Sequence, residues 1–277
     1  MNVIFSIYVD IDENDFAGNP KAQIKDKIAK YNFKQYHLQL IDRQVDYAKS
    51  IGAEYKHFTA DDNYKSFLNQ YRQKYPMLSH YDIVNFYKHK VMRDLADSYD
   101  AVCYFDLDIV PNTQLSIFEL FDIQTMFGVP DSNRDATWGK MVTTKYNHDI
   151  RNPATKYWNA HAMLTNDDLD GDQNVYNTGI MVASSNVIKQ LNYFGSFDDD
   201  ILLMTSVKHE LHTLYPLAIQ QVFNYDNETL FSYKVIKNDV KTLLLGNDWH
   251  CVLKDGTEAP PAKMYHVIDK DFSRFFK

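Results

Sequence analysis

Residues 99–112, YDAVCYFDLDIVPN, decide how this chain is read. Ala101–Phe105 (AVCYF) is a short, uninterrupted apolar run of the kind found in a strand buried on both faces. Two carboxylates follow, Asp106 and Asp108. One residue separates them, so on an extended chain they point to the same side. Pro111-Asn112 closes the segment with a turn signal. A carboxylate pair at the exit of a buried strand suits Mg²⁺ or Mn²⁺, hard cations that take oxygen ligands and share them with substrate phosphates. The segment therefore reads as a diphosphate–metal site. The plain alternative is a solvated strand end that carries two acids by chance.

Upstream, residues 3–9 (VIFSIYV) read as a buried strand, 23–31 as a helix and 36–41 as a second strand. Residues 42–52 look helical, with Gly52 as a stop signal. Glu54–Phe58 gives a third strand. Asp61-Asp62 can cap a helix over 64–75, which Pro76 ends. Residues 82–98 form the clearest helix, with Ile83, Tyr87, Val91 and Leu95 recurring every fourth residue on one face. Downstream, 126–129, 179–183, 241–245 and 264–268 are strand candidates and 214–224 is a helix, while 131–174 is polar with little periodicity. An aromatic and basic tail, 271–277, closes the chain. Strand–helix alternation across the first hundred residues predicts an α/β fold: a Rossmann-like, open, mostly parallel sheet flanked by helices. Ligands in such sheets sit beyond the carboxyl ends of the strands, and Asp106 and Asp108 fall at that edge.

The bulk numbers narrow the classes. At 277 residues, 45% hydrophobic and 24% charged, the chain can bury the core of one large domain. A net charge of −8 argues against a nucleic-acid surface, which needs an excess of Lys and Arg to neutralise phosphates. It does not exclude an anionic substrate, because a bound divalent cation supplies positive charge locally. The two cysteines, Cys103 and Cys251, form neither a metal spacing nor a disulfide framework. No basic n-region opens the chain and no apolar run approaches the ~20 residues of a membrane span, so no transmembrane segment and a soluble, cytoplasmic protein are expected.

In order along the chain stand IFSIYVD, NFYKHKVM, CYFDLDIVPN, YNTGIMVASS, AIQQVFNYD and MYHVIDKDF. This series resembles the GT-A glycosyltransferases, and most of all the glycogenin and bacterial lipopolysaccharide galactosyltransferase group. The resemblance covers nearly the whole chain. It implies one GT-A domain over 1–277, with 1–112 as the nucleotide-binding half and 113–277 as the acceptor-side half. It also implies a hexosyltransferase that uses Mn²⁺ or Mg²⁺, a nucleotide-sugar donor (a UDP-sugar) and a carbohydrate or other hydroxyl acceptor, with anomeric retention favoured. Residue by residue, Asp106, Asp108 and His266 would bind the cation. Lys88 or Lys90, which helical spacing puts on opposite flanks of the apolar face, would reach the donor. Tyr8 and Val9 would meet the base and ribose. Asn177 and Gly179 would approach the donor sugar, and Gln220 or Gln221 would lie beneath the anomeric carbon. The group's closing His-x-x-Gly-x-x-Lys-Pro-Trp is absent: Val, Ile, Asp and Lys270 follow His266. Lys270 could still neutralise the β-phosphate, at a different spacing.

Two other classes of answer fit parts of the sequence. Asp106-Leu-Asp108-Ile-Val110 also satisfies the haloacid-dehalogenase phosphatase pattern, in which the first Asp is a nucleophile. That motif normally opens its fold, whereas three apparent strands precede it here. A sugar-binding GT-A module without turnover is the second, and the intact carboxylate pair speaks against it. His209 and His212 are one position too close for a zinc helix, which needs i and i+4 on one face.

Overall fold

The computed structural model describes residues 1–11, 20–130, 142–143, 149–150, 155–171, 173, 175–210, 225–253 and 258–276. Its centre is a six-stranded sheet built from β1 (Asn2–Ile7), β2 (Glu54–Phe58), β3 (Ala101–Phe105), β5 (Phe127–Pro130), β8 (Ile180–Ser184) and β9 (Thr242–Leu245), in the order β2-β1-β3-β8-β5-β9. β1 pairs in parallel with β2 and β3, and β5 in parallel with β9. β8 alone runs against its neighbours β3 and β5. Residues of β1, β3 and β8 are buried almost throughout, which is why these strands read as continuous apolar runs rather than alternating ones. A second sheet joins β4 (Ile109–Pro111), β11 (Met264–Val267) and β10 (Cys251–Leu253). Val142–Thr143 (β6) and Asp149–Ile150 (β7) form a small hairpin-like pair.

Alternation along the strands divides the core. Val3, Phe5, Val102, Tyr104, Met181 and Ala183 face α2 (Asp62–Lys74), α3 (His80–Leu95), α6 (Phe197–Glu210) and α7 (Asn227–Lys237). Ile4, Cys103, Phe105, Ile180 and Val182 face the end of α1 (Pro20–Ser50), through Tyr47 and Ala48. Two helix starts follow local capping chemistry. The Asp61 side chain accepts from the Tyr64 amide, and Ser79 and Asp82 form a reciprocal capping box, together satisfying amides that the first turn leaves without partners. The remaining described helices are α4 (Thr155–Asn166), α5 (Ser185–Leu191) and two 3-10 turns, Ile117–Glu119 and Phe272–Arg274.

One expectation is overturned. Residues 36–41 are not a strand but the middle of α1, a single helix of 31 residues. The apparent alternation of Tyr36, Leu38 and Leu40 misleads, because Leu38 is 64% exposed while Leu40 is fully buried. The buried positions are Leu40, Gln44, Tyr47 and Ala48, a spacing of four, three and one that only a helix puts on one face. No Gly or Pro interrupts residues 21–51. The helix stops at Ser50, and Gly52 takes a φ of +69°, the left-handed turn conformation that glycine adopts without a Cβ penalty. The expected helix at 214–224 lies outside the described residues.

Candidate metal centre and active site

The centre forms where the large sheet ends and the small sheet begins. Phe105 is the last residue of β3 paired with β8, opposite Ile180. The Asp106 amide extends that ladder by one bond, to the Gly179 carbonyl at 2.8 Å. The chain then turns: the Ile109 amide returns to the Asp106 carbonyl at 3.0 Å, and β4 pairs antiparallel with β11, Ile109 opposite His266. Register therefore delivers the imidazole of His266 to the two carboxylates. Its Nε2 lies 3.3 Å from Asp108 Oδ2 and 4.0 Å from Asp106 Oδ2. One ligand atom from each of Asp106, Asp108 and His266 can be chosen so that all lie within 4.8 Å of one another.

Asp108 is 3% exposed and His266 6%, whereas the Asp106 side chain is 31% exposed and forms the open face. Burial alone would raise the Asp108 carboxyl, but the Lys270 ammonium, in direct contact with it, and then His266 outweigh burial. Asp108 is thus held well below the usual carboxylate range. Lys88 is 3% exposed, and its Nζ sits 3.2 Å from the Thr178 carbonyl and 3.9 Å from Asp106 Oδ1. The Tyr104 hydroxyl donates to that same Asp106 oxygen at 2.6 Å. Burial, followed by the Asp106 charge, pushes the Tyr104 phenol far up, so it remains a donor.

These residues fit a divalent cation. Two carboxylates and one imidazole make a donor set suited to Mg²⁺ or Mn²⁺. The space before them is a cradle that a methyl group would fill: a Cβ on Gly179 would lie 2.8 Å from His266 Cε1 and 3.0 Å from Asp106 Oδ2.

The expected residues fall into place unequally. Lys88 is at the carboxylates; Lys90 is on the solvent side of α3, 2.5 Å from Asp94. Sequence could have separated them, because Lys90–Asp94 and Arg93–Asp97 are i,i+4 pairs that mark an exposed stripe. Asn177 uses its Oδ1 to accept the Gly179 amide at 2.9 Å. Tyr8 follows β1, with its amide bonded to the Phe58 carbonyl, and packs near His37 and Phe33. Phe33 lies under the Lys270 ammonium, so the Tyr8 cluster adjoins the centre. Val9 is half-buried against the core. Gln220 and Gln221 lie outside the described residues.

Four residues that support the centre were not assigned to it from sequence. Gln44 of α1, fully buried, donates to the carbonyls of Asp106 and Ile109 at 3.1 and 2.9 Å, clamping the turn that carries both carboxylates. Its own oxygen accepts from Tyr55. At the start of α7, Glu228 accepts the Thr178 amide at 3.0 Å and Asn227 the Thr178 hydroxyl at 2.7 Å, so this helix holds the 177–179 turn from beneath. Asp226, whose side chain caps α7, was the available signal for that helix. His250 bonds to His266, 2.8 Å between ring nitrogens.

The profile of glycosyl transferase family 8 matches residues 3–258, a span that holds β1 from Val3 on, the Asp106–Asp108 turn and Gly179. The chain belongs to that family. It is a glycosyltransferase, and its α/β sheet with a DxD pair at a strand end is the GT-A fold. No curated protein sequence matches it. Among solved structures it is similar to a glycosyltransferase involved in glycosylation of the major capsid of PBCV-1, at 11% identity over 99% of this chain and 98% of that one, TM-score 0.46. It is also similar to mouse xyloside xylosyltransferase 1 in its apo form, at 12% identity over 96% of this chain and 98% of that one, TM-score 0.45. A third is the galactosyltransferase LgtC in complex with donor and acceptor sugar analogs, at 10% identity over 96% and 86%, TM-score 0.46. Family-8 membership leaves no place for the phosphatase reading of Asp106; β1 and β2 precede the strand that carries the pair, one strand fewer than expected because residues 36–41 are helical. Among the described residues of this glycosyltransferase, no helix is long and apolar enough to cross a membrane.

Proposed function

We propose that this family-8 glycosyltransferase is a metal-dependent hexosyltransferase: it transfers a sugar from a nucleotide-sugar, a UDP-sugar, to a hydroxyl of a glycan or other acceptor, with retention of anomeric configuration. The observation that carries the reading is the convergence of Asp106, Asp108 and His266 around the cradle left by Gly179. Mn²⁺ or Mg²⁺ held by these three would offset the negative charge that develops on the departing diphosphate.

The chain's own residues supply the rest. Asp108, buried and kept ionised by Lys270, is a fixed ligand. Asp106, more open, faces the donor. Lys88 brings a buried positive charge beside Asp106 without reaching solvent, where a preoriented cation acts more strongly than in water. Lys270 sits at the mouth and can turn from Asp108 to a phosphate oxygen. Gly179 lets the donor sugar approach the backbone, and the Asn177 amide nitrogen, which donates to no described residue, remains for a sugar hydroxyl. Tyr8 and Val9 meet the nucleoside, and one of Gln220 and Gln221 orients beneath the anomeric carbon. In the same reading the chain is one domain, residues 1–112 holding the nucleotide and 113–277 facing the acceptor, in a cytoplasmic setting that suits two buried free thiols.

The test is release of free nucleotide from a panel of nucleotide-sugars, with and without Mn²⁺ and with candidate sugar acceptors. Metal-linked, acceptor-stimulated release from UDP-sugars is expected. Absence of release from every donor, together with no metal-linked nucleotide binding in a thermal-shift panel, would rule the proposal out.

A further inference from the structure

His250 and His266 meet inside the protein. Their ring nitrogens, Nε2 of His250 and Nδ1 of His266, are 2.8 Å apart, and the rings lie 59° to one another. Both are buried, at 4% and 6% exposure. Neither is placed loosely. His250 stands directly before β10, which pairs in parallel with β11, Cys251 opposite Tyr265. Its amide is bonded to the Gly246 carbonyl, and the Asp248 carbonyl receives the amides of Lys263 and Met264. Backbone on both sides fixes the approach of the two rings.

Two nitrogens at that distance share one proton, and where it resides decides what the other end of His266 can do. If His250 Nε2 carries it, a neutral His266 holds its proton on Nε2, the nitrogen aimed at Asp108 and Asp106. That nitrogen is then closed to a cation. If His266 Nδ1 carries it and His250 accepts, the Nε2 lone pair is free to bind metal. We infer that His250 is a positioning residue: by accepting the Nδ1–H of His266 it selects the tautomer whose Nε2 is a ligand and fixes the plane of that ring. Partners of this kind, on the far nitrogen of a ligating histidine, set ligand orientation and basicity. The carboxylates facing Nε2 accept a proton held there when no cation is bound, so the tautomer that a cation needs is favoured from the Nδ1 side, by His250. The inference rests on the cation reading of Asp106, Asp108 and His266.

The experiment measures Mn²⁺ affinity of the full chain, with and without UDP, by the free-Mn²⁺ EPR signal. The variants are His250→Leu, which keeps volume and loses the acceptor, and His250→Gln, whose side-chain oxygen can take its place. Leucine should weaken Mn²⁺ binding about 10- to 100-fold while glutamine stays within about 3-fold of wild type. A second readout needs no variant. In long-range ¹H–¹⁵N spectra of the wild type with Mg²⁺ and UDP, His266 should carry its proton on Nδ1, and His250 Nε2 should be unprotonated. Equal Mn²⁺ affinity in wild type and the leucine variant, a glutamine variant as weak as leucine, or a proton on His250 Nε2 would overturn the assignment. If wild type binds no Mn²⁺ in either condition, the cation reading itself fails and the role of His250 falls with it, a pattern distinct from the others.

Discussion

Replacing Gly179 by alanine adds one methyl group where three parts of the centre meet. The new Cβ would stand 2.8 Å from His266 Cε1, 2.9 Å from Asn177 Oδ1 and 3.0 Å from Asp106 Oδ2, against ordinary carbon contacts of about 3.5–4.0 Å. Backbone conformation is not the obstacle, because Gly179 is not among the residues with positive φ. The clash must be relieved by side chains. His266 is buried and bonded to His250, and the Asn177 oxygen is bonded to the residue-179 amide itself. Displacement therefore falls on Asp106, whose side chain is 31% exposed. Overpacking of this kind costs about 1–3 kcal/mol, a fall in Tm of roughly 2–12 °C for a chain of this size. Function should suffer more, since a shift of ~1 Å in a reacting constellation costs about 100-fold. A loss of at least about 10-fold in both Mn²⁺ affinity and UDP-sugar turnover is expected. Gly52→Ala is the companion. That residue has a φ of +69° and open space around its Cβ, so alanine strains the backbone by about 1–2 kcal/mol and should leave the centre untouched. Thermal unfolding, Mn²⁺ titration and nucleotide release measured on both variants separate the effects. Wild-type Mn²⁺ affinity and turnover in Gly179→Ala would refute the cradle. Equal functional losses in both variants would trace the effect to general destabilisation instead.

Asp106→Asn or Asp108→Asn should abolish transfer while circular dichroism shows an intact fold; near-wild-type turnover at saturating metal in either would remove the metal reading. Exhaustive chelation with EDTA should stop nucleotide release and Mn²⁺ or Mg²⁺ should restore it, so full activity after chelation counts against a metal role. Lys88→Met should lower turnover by about 100-fold or more, whereas Lys90→Met, which breaks only an exposed ion pair with Asp94, should change stability by less than about 0.5 kcal/mol and leave turnover alone. Similar kinetics for the two lysine variants would show that the buried charge beside Asp106 is not used. Gln44→Leu removes both donors that clamp the Asp106–Ile109 turn and should cost about 1–3 kcal/mol for the buried carbonyls left short of a partner. Gln44→Glu should fare no better, since an ionised carboxylate cannot donate; a fully stable, active glutamate variant would show that size and not hydrogen bonding matters there.

How far the sequence could be read depended on how each segment is buried. β3 was legible residue for residue, because a strand inside a sheet shows its burial as local composition; β2, the half-buried edge strand EYKHF, was met at its expected bounds too. The carboxylate pair was legible for the same reason: a buried run has to end, and what stands at its end is conspicuous. α7 was not legible. Its residues from Asn227 to Val235 are buried on every side, so it has no polar face and none of the periodicity that marks a surface helix. Its two interior charges both look far along the chain: Glu228 accepts the Thr178 amide and Lys234 is paired with Asp200 at 2.6 Å, both 1% exposed, and partners at that distance leave no trace in the local pattern. α1 failed for the opposite reason. It packs through only a narrow stripe, and between its buried positions a chance alternation at 36–41 imitated a strand.

The site divides along the same line. Residues next to one another in the chain, Asp106 and Asp108 or Asn177 and Gly179, were found as motifs. Residues that serve through a neighbour were not. Gln44 reaches the metal turn across 62 positions, and His250 acts on His266 only because β10 and β11 lie side by side. A lone Gln in a helix and a lone His beside a tryptophan are common in any sequence, and only pairing register gives them a partner. Lys88 stands between these cases. Apolar spacing on α3 left it level with Lys90, yet the i,i+4 pairs Lys90–Asp94 and Arg93–Asp97 define the solvent stripe and assign Lys88 to the interior. A cation forced inside by helical phase must find negative charge there, and the only carboxylate the described structure brings within 4.0 Å of it is Asp106. The strand-end acid thus accounts for the buried lysine: the charge of Asp106, on the open face, makes the burial of Lys88 tolerable.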